Sequence, residues 1–411
     1  MNTVLRLAWR NVWRNPRRTG LTVAATVFAV YLVIVFVAMA DGSHTKMIED
    51  SVRIQSGHVQ LAADGYLENR TLEYFLEVDD TIENALAAAP EVEAWAPRVN
   101  SAALLSLDSS TQGAILVGVD PERERRVSTL FDRVSEGTFL PADQERPLVL
   151  GAQLARNLGA ELGDEVLLYS MAYTLQNAYE LFVLTGTLEL PDASLERGLA
   201  VVTLADAQEF LAYDARVSEI ALRTGSARQV PALTAELEAA LADAGGIRVH
   251  PWNEVMPEVE QFIIVDDAGM YIMLLILVIV VGFGILNTIL MSVMERQQEF
   301  GAMLALGLRP SRIFAMVYAE SMMLAVVGLG IGLVLAYPTV LWFIEHPIPL
   351  TGEGMEAMAQ LVAMEPVMTF ELRETTLPGA TITILGVAAL AALYPAVKAS
   401  RARPVDALRS L

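Results

Sequence analysis

Four long and almost uncharged stretches dominate the hydropathy pattern of the chain. A helix needs about 20 consecutive apolar residues to cross a hydrocarbon core about 30 Å thick, and each stretch reaches that length. The only charged residue inside them is Glu320, near the start of the third. The pattern therefore predicts four transmembrane α-helices, at residues 21–40, 270–294, 313–343 and 378–397.

The segment between the first two predicted spans, residues 41–269, has a different pattern. Strand-like runs occur at 53–61, 99–107, 114–119, 165–169, 179–189 and 199–203. Helix-like runs occur at 80–89, 152–158, 206–213 and 231–244. This mixture predicts a large α+β domain inserted between helices 1 and 2, long enough to bury its own core. From Asn253 onward the pattern is helical up to the second span, so one continuous helix would couple the domain to the membrane.

Charge alternates from one side of these spans to the other. The chain has 411 residues and a net charge of −21, with 28 Lys and Arg against 49 Asp and Glu. Segments 1–20, 295–312 and 398–411 together hold 12 basic and 3 acidic residues, whereas 41–269 holds 15 and 39, and 344–377 holds 1 and 6. Basic residues favour the cytoplasmic side of a membrane. We therefore expect a multi-pass membrane protein with both termini and the 295–312 loop in the cytoplasm, and with 41–269 and 344–377 outside.

Residues 1–18 are predicted to form an amphipathic helix at the membrane surface. Trp9 and Trp13 recur at helical spacing, with arginines on the other faces, as in interfacial helices. Pro16 would end this helix before the first span. Simple anchoring is the plainer interpretation, and a regulatory role is the alternative.

Composition excludes several kinds of site. The chain has no cysteine, which excludes disulfides, thiolate metal sites and cysteine nucleophiles. Its two lysines, Lys46 and Lys398, do not follow a glycine, so no P-loop is present. Scattered histidines argue against a metal site, and the acidic balance argues against nucleic acid. Because nucleophile motifs are absent and acid pairs such as Asp266–Asp267 are expected to be solvated, we predict no catalytic, cofactor-binding or metal-binding residues in this chain.

The loop at 295–312 contains a short amphipathic helical pattern. Phe300, Met303, Leu304 and Leu306 form its apolar face, and Gly307 can end the helix. A helix lying flat on the lipid and a docking helix for a soluble partner fit this pattern equally well.

The third span carries two features that bear on packing. Glu320 is costly if it faces lipid, so we expect a structural ion pair with Arg309 or Arg312 in preference to a role in proton transport. Gly328 and Gly332 form a G-x-x-x-G pattern, which permits close packing of membrane helices.

Several groups of residues, taken in order, resemble a known family. They are residues 8–22, 118–121 with 150–166, 295–307 with Glu320, and 56–61 with Gly65 and Tyr66. In this order they are similar to the permeases of the MacB/FtsX superfamily of ABC transporters, and most similar to the lipoprotein-release (LolC/LolE-type) branch. The resemblance covers nearly the whole chain.

This resemblance implies a MacB-like periplasmic core domain at 41–269 and a helix in the cytoplasmic loop that couples to an ATPase. The coupling residues would be Glu295, Arg296, Glu299, Phe300, Gly301, Leu304 and Gly307. A separate cytoplasmic ABC ATPase, in two copies, would bind the ATP and magnesium, because this chain offers no nucleotide site. A second permease, identical or a paralogue, would complete the transporter.

The resemblance also implies a path for substrate. A lipidated substrate would enter from the outer leaflet, among membrane lipids, between spans one and two of paired permeases, and would then pass to a periplasmic carrier. Candidate lining residues are Phe28, Val35, Phe36, Met39, Met270, Met273 and Leu274. For each of them, an ordinary lipid-facing or packing position is the alternative.

The expected function is that of a permease subunit, not of an enzyme. It would couple ATP hydrolysis by its partner to conformational change outside the membrane, extracting lipoproteins or lipid-like substrates from the inner membrane toward the outer membrane. MacB-type efflux of drugs, peptides or toxins is the nearest alternative. A membrane-anchored sensor or scaffold without transport is an alternative of another class, and an intramembrane hydrolase is disfavoured because the spans carry no paired catalytic groups.

Overall fold

The computed structural model describes residues 16–54, 56–349 and 367–402, so most of the predicted surface helix at 1–18 and of the tail at 398–411 lies outside the described residues. The chain divides into two compact units. Of the described residues, the helical unit comprises 16–44, 264–348 and 368–402, and the sheet unit comprises 45–54, 56–263, 349 and 367.

Twelve α-helices are found in the described residues. In chain order they are α1 (Pro16–Ile54), α2 (Asp80–Ala88), α3 (Pro121–Val127), α4 (Ala152–Leu158), α5 (Ala193–Gly198), α6 (Leu204–Phe210), α7 (Val230–Ala240), α8 (Trp252–Val255), α9 (Pro257–Glu295), α10 (Gln297–Ala305), α11 (Pro310–Glu345) and α12 (Thr376–Ser400).

The same part of the chain contains fourteen strands. They are β1 (Val59–Ala63), β2 (Leu76–Glu77), β3 (Val92–Leu107), β4 (Ser110–Val119), β5 (Val134–Gly137), β6 (Pro147–Gly151), β7 (Glu165–Met171), β8 (Asn177–Leu188), β9 (Leu199–Thr203), β10 (Arg216–Val217), β11 (Glu219–Thr224), β12 (Ile247–Pro251), β13 (Ile348–Pro349) and β14 (Val367–Met368).

The helical unit is held together by two apolar clusters. Four helices, α1, α9, α11 and α12, are long and apolar enough to cross a membrane. They have 39, 39, 36 and 25 residues, against about 20 for a minimal span. One cluster joins α1, α11 and α12 around Ile34 and Leu329, and the other joins α9, α10, α11 and α12 around Ile289 and Phe300.

The sheet unit is built on a ten-stranded sheet with the order β12-β1-β11-β3-β4-β9-β6-β8-β5, in which β7 pairs with β3 and β8. The pairs β4–β9 and β6–β8 are parallel, and the others are antiparallel. Because side chains alternate along a strand, each face has its own core. Helices α2, α4, α6 and α7 cover one face, and a cluster around Val149 and Val201 lies on the other.

Two local expectations are wrong. The predicted strand at 53–61 is helical through Ile54, and β1 begins only at Val59, because Gly57 turns the chain with φ +71° while its N–H donates to Val52 O at 2.7 Å. The helix expected to run unbroken from Asn253 is interrupted at Met256. A residue that precedes a proline is pushed out of the helical region, and Pro257 follows directly.

Candidate functional site

The short helix α10 is anchored by its buried residues and exposes the others. Phe300 and Gly301 are buried, Leu304 packs against the same cluster, and Glu295 lies exposed at the end of α9. Gly307, at φ +91°, follows the helix and turns the chain toward α11. The result is a helix fixed to α9, α11 and α12 on one side and free to contact another surface on its other side, where Leu306 is 89% exposed.

Arg296, between α9 and α10, connects this helix to α11. Its guanidinium donates to Glu299 Oε2 at 3.0 Å and to Glu320 Oε2 at 3.2 Å, and it also lies over the ring of Phe300. Arg296 and Glu320 are both buried. A buried charge is tolerated only when it is paired, so this network fixes α10 against α11.

The expected ion-pair partner of Glu320, Arg309 or Arg312, was wrong. Arg312 lies eight residues before Glu320 on the same helix, about 12 Å along its axis, whereas side chains of one helix meet three or four residues apart. Both Arg309 and Arg312 are exposed. The end of α9 brings Arg296 to Glu320 instead, a tertiary contact that the sequence pattern does not show.

The two glycines of the third span lie where α11 approaches α1. A Cβ atom added to Gly328 would lie 2.6 Å from Cβ of Thr26, and one added to Gly332 would lie 2.7 Å from Cβ of Val30. Such distances are shorter than any ordinary contact. The two helices therefore meet at a separation that only glycine allows.

The predicted lining residues differ in their exposure. Val35, Met39 and Leu274 pack against the apolar cluster that joins α1, α11 and α12. Phe28 and Met273 are 62% and 57% exposed, and Phe36 and Met270 are half-buried. Helix α9 is the least covered of the four: 11% of its most apolar stretch is buried within the chain, against 33–39% in the others.

A polar cluster that the sequence pattern did not predict joins α1 to α9. His44 Nε2 lies 2.7 Å from Asp266 Oδ2, and His44 Nδ1 lies 3.5 Å from Asp267 Oδ1. Asp41, one turn earlier, pairs with Arg373 at 3.2 Å. The two aspartates of α9 are partly exposed, as expected, but they also contact a buried histidine 222 residues away in sequence. No local periodicity signals such a contact.

The sheet unit holds the last turns of α1 in a similar way. Glu49 Oε2 lies 3.2 Å from His58 Nε2, and Glu49 Oε1 accepts a hydrogen bond from the Ala227 N–H at 3.2 Å. His58 Nδ1 accepts from the Thr224 N–H at 3.4 Å. Val52 of α1 packs against α8 just before α9 begins. The end of one long helix and the start of the other are thus fixed together within this unit.

Two family models match the chain. The MacB-like periplasmic core domain matches residues 19–240, more than half of the chain, and the FtsX-like permease C-terminal domain matches residues 271–404. The chain belongs to the MacB/FtsX family of ABC transporter permeases. Its fold class, four membrane helices with a MacB-like α+β core domain between the first two, is confirmed.

Curated relatives of this permease come from two branches. The lipoprotein-releasing system transmembrane protein LolC of Neisseria meningitidis is 24% identical over 95% of this chain and 94% of its own length. The corresponding LolE of Haemophilus influenzae is 23% identical over the full length of both. The macrolide export ATP-binding/permease protein MacB of Nitrosomonas europaea is 24% identical over 85% of this chain and 53% of its own length.

Among solved structures, the periplasmic region of MacB from Actinobacillus actinomycetemcomitans matches 49% of this chain and 92% of its own, with 16% identity and a TM-score of 0.34. The family matches and the curated relatives identify an ABC transporter permease of the LolC/LolE and MacB type, and the four apolar helices support a membrane location.

Proposed function

We propose that this permease couples ATP hydrolysis by a separate cytoplasmic subunit to the release of lipoproteins or lipid-like substrates from the inner membrane. The observation that carries the proposal is coverage: the LolC relative matches 95% of this chain and 94% of its own length, and the LolE relative matches 100% of both. The MacB relative is named as an ATP-binding protein and a permease in one, and this chain spans only about half of it. With two lysines and no P-loop, the chain needs a partner to bind ATP and magnesium.

Coupling would occur through α10. The exposed side of this helix, with Leu306 at its end, offers an apolar contact to an ATPase. Phe300, buried in the cluster with α9, α11 and α12, and Arg296, paired with Glu320, would pass a displacement of α10 into the membrane helices. Because these contacts hold the predicted coupling residues together, we expect those residues to move as one rigid element.

The long helices would carry this motion out of the membrane. Helices α1 and α9, with 39 residues each, are about 58 Å long at 1.5 Å per residue, nearly twice the thickness of a hydrocarbon core. Each helix begins in one unit and continues without a break into the other. Contacts such as Glu49–His58 would then transfer movement to the external domain.

In this arrangement both termini and α10 lie in the cytoplasm and the sheet unit lies in the periplasm, as the charge distribution favours. Two permeases, identical or paralogous, would pair with two ATPases. The poorly covered surface of α9, including Met273, would face lipid, the second permease or substrate. A periplasmic carrier would accept the released lipoprotein.

The test is a release assay with the permease, its ATPase and any second permease reconstituted in proteoliposomes that hold a fluorescent lipoprotein. We expect ATP-dependent transfer of the lipoprotein to the soluble phase when carrier is present. Replacing Leu306 by Glu should abolish both ATPase co-purification and release. The matched control is Leu175→Glu, at a residue of the sheet unit that is 74% exposed, and it should leave ATPase binding unchanged.

The competing functions give different results in the same preparation. MacB-type efflux is favoured by a MacB relative whose identity, 24%, equals that of LolC. It predicts ATP-dependent transport of a macrolide or peptide and no lipoprotein in native extracts. A sensor or scaffold predicts that no ATPase co-purifies at all. Either result would overturn the proposal of lipoprotein release.

A further inference from the structure

The face of the sheet opposite α2, α4, α6 and α7 contains a cavity that takes no part in the contacts described above. Its volume is about 460 Å³. Side chains from β1, β11, β3, β4 and β9 form its floor, and residues from the end of α1, from α5 and from α8 form its walls. The cavity lies wholly within the sheet unit, and of α1 only the end that belongs to this unit contributes to it.

One half of the cavity is polar and contains an unmatched hydrogen-bonding group. Gln60 of β1 is 2% exposed, and its Oε1 has no hydrogen-bond partner among the described residues. Burying an amide oxygen without a partner costs about 1–3 kcal/mol. In register opposite Gln60 lie Ala221 and His250, and His250 Nε2 is likewise without a partner among the described residues. Gln60 lines the cavity, so a ligand there could supply the missing donor once the amide turns toward it.

The charges beside Gln60 are matched within the protein. Arg98 donates to Glu124 through Nε at 3.1 Å and Nη2 at 2.6 Å, and its Nη1 lies 3.7 Å from Glu219. All three are buried, and Arg70 lies exposed at the rim. Two guanidinium groups thus face two carboxylates, which leaves no net charge to select a charged ligand.

Uncharged amide groups stand beside these matched charges. Asn100, which also lines the cavity, donates from Nδ2 to the Tyr66 hydroxyl at 3.1 Å. The polar half therefore offers amide and carboxyl groups, not an isolated charge.

The other half of the cavity is apolar. It is lined by aliphatic side chains from β4, β9, α5, α8 and the turn after α3, namely Val117, Leu130, Leu195, Leu199 and Val255. Covering such a surface with hydrocarbon is favourable by about 25 cal/mol per Å². A ligand that fits both halves has a hydrogen-bonding head and an aliphatic body.

We propose that this cavity binds a small amphipathic molecule whose polar end is an uncharged amide and whose body is a short hydrocarbon. The amide N–H would donate to Gln60 Oε1, and the hydrocarbon would lie against the aliphatic half. The site is separate from the coupling site and from the substrate path between the spans, so the proposed function stands or falls independently of it.

The test uses the full-length permease in lipid nanodiscs and three probes with the same eight-carbon chain: octanamide, octanoate and octylamine. Saturation-transfer NMR, with empty nanodiscs as the background, measures binding. We expect saturable binding of octanamide and about tenfold weaker binding of the two charged probes, because a single hydrogen bond to a buried group corresponds to about that factor.

Variants distinguish binding in this cavity from binding to lipid or to the rest of the protein surface. Gln60→Leu should weaken octanamide about tenfold, whereas Gln176→Leu, at an exposed turn, should not. Gly198 lines the cavity and a Cβ there meets open space, so Gly198→Phe should fill the cavity and abolish binding without a clash. Gly113→Phe, also in open space but outside the cavity, is its control.

Three results would overturn the proposal. Saturable binding by none of the probes would remove the site. Equal octanamide binding in Gly198→Phe and Gly113→Phe would place binding elsewhere. Octanoate or octylamine binding as tightly as octanamide would overturn the assignment of an uncharged head, and Gln60→Leu binding like wild type would overturn the role of Gln60.

Discussion

Arg296 Nη1 lies 3.2 Å from Glu320 Oε2, and this buried ion pair joins the residue before α10 to the first third of α11. Because Arg296 also contacts Glu299 at 3.0 Å, one guanidinium holds two helices in a fixed relation. Its burial distinguishes it from the surface pairs of the sheet unit, which are worth about 0–1 kcal/mol.

Removing one member of this pair should destabilise the helical unit. Glu320→Gln leaves a buried guanidinium with one carboxylate less, and breaking a buried pair typically costs about 3–5 kcal/mol. We expect a lower thermal unfolding temperature in nanodiscs and a weaker response of the ATPase to substrate. The double variant Arg296→Met with Glu320→Met should recover part of the loss, because the buried guanidinium and carboxylate are removed together and Glu299 is 37% exposed. Glu345→Gln, exposed at the end of α11, is the control, and an equal loss there would contradict a specific role for the pair.

The contact of Gly332 with Val30 predicts a strong effect of side-chain size. Gly332→Val places a Cβ 2.7 Å from that of Val30, so α11 must move away from α1. Overpacking of this kind costs about 1–3 kcal/mol. Gly330→Val, two residues away where a Cβ meets nothing within 4 Å, should be tolerated. Thermal unfolding of both variants measures the difference, and similar values would show that α1 and α11 do not pack through these glycines.

Much of this architecture follows from periodicity. The four spans and the core-domain helix at 152–158 depend on hydropathy and on local signals such as Gly159, which ends α4 at φ +75°. The strand at 199–203 matches β9 residue for residue. Such elements are predictable because their stability depends on burying one face or one continuous run.

The functional contacts were less predictable because they are tertiary. Which arginine reaches Glu320 depends on the turn at the end of α9, and Arg309 and Arg312 have equally suitable chemistry. His44 and Asp266 come together only because α1 and α9 pack side by side. In the sequence Gln60 is an ordinary strand residue, and only the structure shows that its amide oxygen has no hydrogen-bond partner among the described residues.

The buried Glu219 predicts a pH dependence for the external domain. Its pKa in the folded protein is raised by burial from the usual 4.5, so the folded state binds its proton more tightly than the unfolded state does. The stability that this carboxyl contributes is therefore fully present below about pH 4.5 and is lost as pH rises through the folded pKa. Compared with wild type, Glu219→Gln should become relatively more stable as pH increases from about 4 to 7.

Thermal unfolding followed by tryptophan fluorescence measures this effect, since Trp95 lies on β3, the strand beside β11. Glu122→Gln, at an exposed carboxylate, controls for the pH response of the acidic domain as a whole. A difference between Glu219→Gln and wild type that stays constant with pH would show that Glu219 ionises alike in the folded and unfolded states.

The contact between His44 and Asp266 predicts that the path between the first two spans can be locked. If substrate enters between α1 and α9, the pair at 2.7 Å must separate in each cycle. The chain has no cysteine, so in the double variant His44→Cys with Asp266→Cys no native thiol competes for the disulfide, and non-reducing electrophoresis separates crosslinked monomers from crosslinked dimers. After oxidation we expect lipoprotein release to stop while the ATPase stays bound, and reductant should restore release. Each single cysteine variant, oxidised in the same way, should keep most of its activity. Undiminished release by the crosslinked permease would exclude entry between α1 and α9.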